Sequence, residues 1–124
     1  MTRTPDELVA EFCALWASPD PEKLAEFFAE DAVYHNIPLS PVHGRAAIEE
    51  FIAGFTAGYD GIDFAVHHQV SYGNVVMNER TDTLRRKDGV AVDLPVAGVF
   101  EIVDDRIVAW RDYFDLATFT KAMG

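Results

Sequence analysis

Three ionisable side chains raise the first chemical question in this sequence: Arg80 and Asp82 in "NERTDTL", and Asp112 in "WRDYFD". Both stretches have the composition of β-strands, whose side chains alternate between two faces. In the second, Val108, Trp110, Asp112 and Phe114 share a face, and three of those four are apolar. That face is expected to be buried, with Asp112 on it. In the first, Val76 and Leu84 flank Asn78, Arg80 and Asp82, whereas Glu79, Thr81, Thr83 and Arg85 fall on the other side. Arg80 and Asp82 are therefore expected to point inward as well.

Burying an isolated charge costs several kcal/mol, so buried charges pair. One guanidinium cannot neutralise two carboxylates, and two like charges in one dry site raise a pKa until a proton is shared. Such a trio holds a general base and a general acid at neutral pH, bridged by one rigid fork. From pattern alone a second reading stands beside this one: a structural Arg80–Asp82 ion pair, with Asp112 at a rim. In "YHNIP", Tyr34 and Asn36 share a strand face and together offer a phenol and an amide, the groups needed to position one water molecule. Here too a structural reading stays open, with Tyr34 in the core and Asn36 starting the turn into Pro38.

Other chemistries find less support. His67 and His68 are adjacent on a strand and are expected on opposite faces, while His35 and His43 lack metal-ligand spacing. No metal is expected. Cys13 lies on the apolar side of the first helix and reads as core. "GFTAGYDG" lacks the lysine and the spacing of a phosphate loop, so no cofactor is expected.

The elements that must position these residues come in two blocks. Thr4-Pro5-Asp6-Glu7 signals a capped helix running to about Ala17, and "SPDPEKLAEFFAE" a second helix capped by Asp20. "DAVYHNIP" is a short strand, "LSPVHG" a loop, and "RAAIEEFIAGF" a third helix. After Gly61 the apolar period drops from 3.6 to 2. "IDFAVHHQVSY", the opening strand, "VAVDLPVAGVFEIV" (with a bulge expected near Pro95 or Gly98) and "RIVAWRDYFD" form a meander, and "LATFTKAMG" a helical tail. Helices followed by strands indicate one α+β domain over residues 1–124, with helices on one face of a curved sheet enclosing a pocket.

Composition limits the partners. With 10 Lys and Arg against 21 Asp and Glu, the net charge of −11 repels phosphate backbones and anionic lipid, so neither nucleic acid nor membrane is expected. A lone cysteine excludes an internal disulfide. With no secretory signal or membrane-spanning run in the sequence, a cytoplasmic location is expected.

"YHNIP", "ERTDTL" and "GVFEIVDDRIVAWRDYFDLATF" resemble, in order and spacing, the signature segments of limonene-1,2-epoxide hydrolases. The resemblance covers nearly the whole chain. It implies a cone-shaped α+β fold of the ketosteroid-isomerase/cystatin-like kind, a curved mixed sheet with helices on its concave face, usually as a homodimer. It also implies one-step, metal-free addition of water to a small epoxide, cyclic or terpene-like, giving a vicinal diol. By motif, Asp112 would be the base acting on water, Asp82 the acid acting on the epoxide oxygen and Arg80 their bridge. Tyr34 and Asn36 would hold the water. Faces and helix stripes assign Leu84, Leu94, Val96, Trp110, Phe114, Phe51 and Phe55 to substrate binding. Two other readings share the fold: a proton-transferring isomerase or polyketide-cyclase-like enzyme, and a non-catalytic ligand-binding module.

Overall fold

The computed structural model describes residues 3–123. Helix α1 spans Pro5–Leu15 behind a complete capping box: the Glu7 amide donates to Thr4 Oγ1 at 3.1 Å, and the Thr4 amide donates to Glu7 Oε1 at 2.9 Å. Helix α2 is a single turn, Pro21–Ala25, capped by Asp20 as its sequence signals. It stops well short of the expected helix because Phe28 already belongs to strand β1 (Phe28–Asn36). Phe28 is fully buried and in register with Ile107, and the Ile107 amide donates to Phe27 O at 2.7 Å. Sheet hydrogen bonds and burial thus override the helical tendency of "EKLAEFF". "LSPVHG" contains a two-residue strand, β2 (Val42–His43), and α3 spans Arg45–Thr56 as its stripe of Ile48 and Ile52 requires.

Four long strands follow: β3 (Tyr59–Tyr72), β4 (Val75–Arg86), β5 (Ala91–Val103) and β6 (Arg106–Tyr113), then helix α4 (Leu116–Met123). They complete a six-stranded sheet in the order β2-β1-β6-β5-β4-β3. Every pairing is antiparallel except β1 with β6, so the sheet is mixed. The β5–β6 connection is a tight turn in which Asp104 and Asp105 both have positive φ, 51° and 60°, the twist that a two-residue hairpin needs.

Strands β4 and β5 stay in uninterrupted register from Val75↔Glu101 to Arg85↔Ala91. The bulge expected near Pro95 or Gly98 is absent there; the irregularity of β5 lies at Glu101/Ile102, against β6. Strand β3 carries a bulge between Val66 and His68 instead. Beyond it the alternation reverses: Gln69 pairs with inward-facing Asn78, while Val70 and Tyr72 are 65% and 82% exposed. His68 falls in register with Glu79 and His67 Nε2 lies 2.8 Å from Thr81 Oγ1, so both histidines join the outward side rather than opposite faces.

The core lies between α1, α3 and the concave face of the sheet, and aromatic rings dominate it. Trp110 sits at its centre, stacked on Tyr34 (centroids 4.3 Å apart, 5° between planes) and on Phe100 (5.2 Å, 17°). Phe12 of α1 meets Trp110 edge-on at 5.1 Å.

Candidate active site

On β4 burial alternates strictly, and Asn78, Arg80 and Asp82 are all buried on the inward face between Val76 and Leu84. Asp112 is buried on the same side, two strands away. Registers of successive strands align Gln69, Asn78, Gly98, Asp112 and Asn36 in one row across five strands. Arg80 starts in the adjacent row, opposite Val96, and its guanidinium crosses above Gly98 to reach Asp112. The glycine is required by this crossing. A Cβ at position 98 would lie 2.5 Å from Arg80 Nη1 and 2.8 Å from Asp112 Oδ1.

The guanidinium is fully engaged. Nε and Nη2 donate to the two oxygens of Asp82, each at 2.9 Å. Nη2 also donates to Asp112 Oδ2 at 2.8 Å, and Nη1 to Asp112 Oδ1 at 3.3 Å. The fifth bond runs from Nη1 to Asn78 Oδ1 at 3.0 Å. One fork faces each carboxylate, and the Phe64 ring covers the guanidinium with its centroid 4.4 Å from Cζ. Burial works against the Arg80 charge, but Asp112 and Asp82 hold its pKa well above the ordinary arginine value.

The two carboxylates are not equivalent. Asp82 is pushed up to about 6 by burial, against the lowering effect of Arg80. Asp112 accepts a further hydrogen bond, from Trp110 Nε1 at 2.7 Å. Trp110 is thus a support for Asp112 and not a cavity wall; it is fully buried under Tyr34, because the same inward face of β6 that carries Asp112 also forms the aromatic core.

Tyr34 and Asn36 lie on β1 next to Asp112: parallel pairing puts Asn36 opposite Asp112, and the Ile37 amide donates to Asp112 O at 2.9 Å. Burial raises the Tyr34 phenol above its usual pKa, with Asp112 adding to the rise and a hydrogen bond with Asn36 opposing it, so it remains a neutral donor. Cys13 lies under the site with its thiol pushed up to about 12 by burial, which leaves it inert as a nucleophile at neutral pH.

Asp82, Asp112, Tyr34 and Asn36 line one cavity with an empty volume of about 450 Å³, part of it open to solvent. Its walls include Leu84, Leu94, Val96, Phe114, Phe51 and Phe55, as their faces and stripes suggest. Trp16, Ile62, Phe64 and Phe119 line it too. The strand alternation of Ile62 and Phe64 and the helix stripe of Trp16 place those three inside, but nothing in the linear pattern shows that α4 folds Phe119 back against the cavity.

The sequence matches the family model described as the limonene-1,2-epoxide hydrolase catalytic domain over residues 6–124. The chain belongs to the limonene-1,2-epoxide hydrolase family. Epoxide hydrolase EphG of Mycobacterium tuberculosis is 34% identical over 94 residues, 76% of this chain and 62% of that protein, so the aligned stretch spans less than two thirds of this relative. The solved structure of an M. tuberculosis LEH-like epoxide hydrolase superposes with a TM-score of 0.83 at 29% identity, covering 95% of this chain and 87% of the other. A protein of ketosteroid isomerase-like fold from Catenulispora acidiphila superposes with a TM-score of 0.82 at 22% identity, covering 93% and 90%, and extends the likeness of fold alone. The curved mixed sheet with helices on its concave face is the architecture these family members and fold relatives share.

Proposed function

We propose that this chain hydrolyses a small, largely apolar epoxide, cyclic or terpene-like, to a vicinal diol in one step. The observation that carries the reading is the single guanidinium bridging two buried carboxylates at the wall of an apolar cavity. Asp112, with three donors aimed at it, is the carboxylate; Asp82, whose proton burial retains, is the acid. A water held by Asp112, Asn36 and Tyr34 attacks an epoxide carbon and gives its proton to Asp112. The C–O bond breaks as Asp82 protonates the departing oxygen. The cycle closes when one proton returns from Asp112 to Asp82, both of which are bound to Arg80 Nη2.

An epoxide has ring strain but a poor leaving group, so acid and base acting together suit it, each worth about 10²–10⁴-fold. A substrate with few polar handles must be oriented by walls, which the ring of Leu, Val and Phe side chains supplies. A proton-shuttling isomerase instead uses a neutral acid in an apolar hole, whereas both carboxylates here are tied to one arginine. We also propose a homodimer in the cytoplasm. The outward residues Val70, Tyr72 and Met77 at the β3–β4 hairpin support self-association, and the net charge of −11 speaks against nucleic-acid or anionic membrane partners. No helix among the described residues is long and apolar enough to cross a membrane.

The test is conversion of cyclohexene oxide or limonene oxide to the diol by purified protein, followed against pH. The free enzyme holds the Asp82 proton below about 6 and loses it above. kcat/KM should therefore fall as pH rises past that point, approaching about tenfold per pH unit for a single essential acid. A profile that stays flat from mildly acidic to alkaline pH would remove Asp82 from the acid role.

A further inference from the structure

Arg80 has five N–H donors, and four go to the two aspartates. The fifth goes to a neutral residue, Asn78, which is itself held from behind. Asn78 Nδ2 donates to Gln69 Oε1 at 3.2 Å, and Gln69 Nε2 donates to the main-chain oxygen and Oδ1 of Asp6, at 3.1 and 2.8 Å. A further weak contact joins Asn78 Nδ2 to Cys13 Sγ at 3.8 Å.

Amides are nearly symmetric, so what fixes their direction is the end of the chain. A carbonyl and a carboxylate can only accept. Asp6 therefore obliges Gln69 to present its Nε2 outward and its Oε1 inward. Gln69 in turn obliges Asn78 to present its Nδ2 outward and its Oδ1 to Arg80. The polarity runs from the exposed first turn of α1 to the centre of the site. The bulge in β3 makes the link: with the register of Phe64↔Asp82 and Val66↔Arg80 continued, His68 would face Asn78, and the extra residue brings Gln69 there instead.

We propose that Asn78, oriented by Gln69 and Asp6, is a positioning residue that fixes the plane of the Arg80 guanidinium so that it serves both aspartates at once. The proposal rests on the acid–base reading of Arg80, Asp82 and Asp112. Asn78 does not line the cavity and is not a catalytic residue. Neutrality matters as much as position, because an acid at 78 would be a third carboxylate on one cation. The titratable groups around that cation are Asp82, Asp112, Cys13 and Tyr34.

Four variants and their readouts decide the matter. Asn78→Leu removes the acceptor; Gln69→Leu, half-buried and remote from Arg80, removes only the orienting partner. Turnover of cyclohexene oxide should lose kcat by about 100-fold and about 10-fold respectively, with KM within about threefold. The double variant should be no slower than Asn78→Leu alone, because both break one chain. Asn78→Asp should shift the titration of the Asp82 carboxyl, followed by ¹³C NMR, to higher pH by about one pH unit. Independently of turnover, exchange of the Arg80 Nε–H with water should quicken in both leucine variants. Should Asn78→Leu fail to fold, Gln69→Leu tests the same strut through kcat and exchange. Wild-type kcat, titration and exchange in a folded variant would overturn the strut, as would losses that multiply in the double variant. If the wild-type protein opens no epoxide, the acid–base reading falls, while slow Arg80 exchange that quickens in the variants would still uphold the strut.

Discussion

Asp112→Asn and Asp82→Asn should each abolish measurable epoxide opening while leaving the fold intact. The two losses have different origins. At position 112 the amide is no base, so a water bound by Asn36 and Tyr34 keeps its proton, and removing a general base typically costs about 10²–10⁴-fold. At position 82 the amide cannot protonate the departing oxygen, and an alkoxide must leave unaided. Each variant also turns an amide N–H₂ toward an Arg80 donor, because the guanidinium offers two bonds to each carboxylate and an amide has one accepting oxygen. Added loss from this misfit of geometry is expected. The measurement is kcat/KM on cyclohexene oxide, with circular dichroism and thermal unfolding confirming the fold. Substantial residual activity in either variant would contradict the assigned roles.

Gly98→Ala is the second large effect, and it comes from a residue with no chemistry. The row Asn78–Gly98–Asp112 leaves open the place where the Arg80 guanidinium crosses β5. A methyl group there would sit 2.5 Å from Arg80 Nη1, 2.8 Å from Asp112 Oδ1 and 3.0 Å from Asn78 Oδ1. None of the three is a free side-chain end, since all are tied into one buried network. Something must shift, and the guanidinium is the group that bridges the two carboxylates. Overpacking of this kind costs about 1–3 kcal/mol of stability, while a displacement of about 1 Å at a reacting centre can cost about 10²-fold in rate. The expected result is a folded protein with at least about 100-fold lower kcat. Wild-type turnover in Gly98→Ala would show that Arg80 need not cross above β5.

The parts of this site that could be read in the sequence were those on unbroken strands. β4 alternates without a fault from Val76 to Leu84, so Arg80 and Asp82 could be turned inward by counting, and Asp112 follows from its neighbours on β6. Tyr34 and Asn36 needed only a shared face. What could not be counted lay where the period breaks or the chain returns. The bulge in β3 reverses inside and outside after Val66, which hides Gln69, turns Val70 and Tyr72 to solvent and brings the two histidines to one side. Gly98 looks like a bulge in the sequence because nothing linear shows that an arginine on the neighbouring strand needs its space. Trp110 has the pattern of a pocket wall, but its burial depends on Tyr34 stacking from a strand far away in sequence. Asn78 was visible on the inward face, yet its role emerges only from the partners on either side of it.

In the proposed reaction water, not an aspartate, attacks the epoxide. A single turnover in H₂¹⁸O, with protein in excess over cyclohexene oxide, tests it directly. Direct attack by water held on Asp112 predicts one ¹⁸O in the diol formed during that first turnover. A first-turnover diol carrying only ¹⁶O, with the label appearing in later turnovers or in the Asp82 or Asp112 carboxyl, would mean a covalent aspartyl ester and contradict the account.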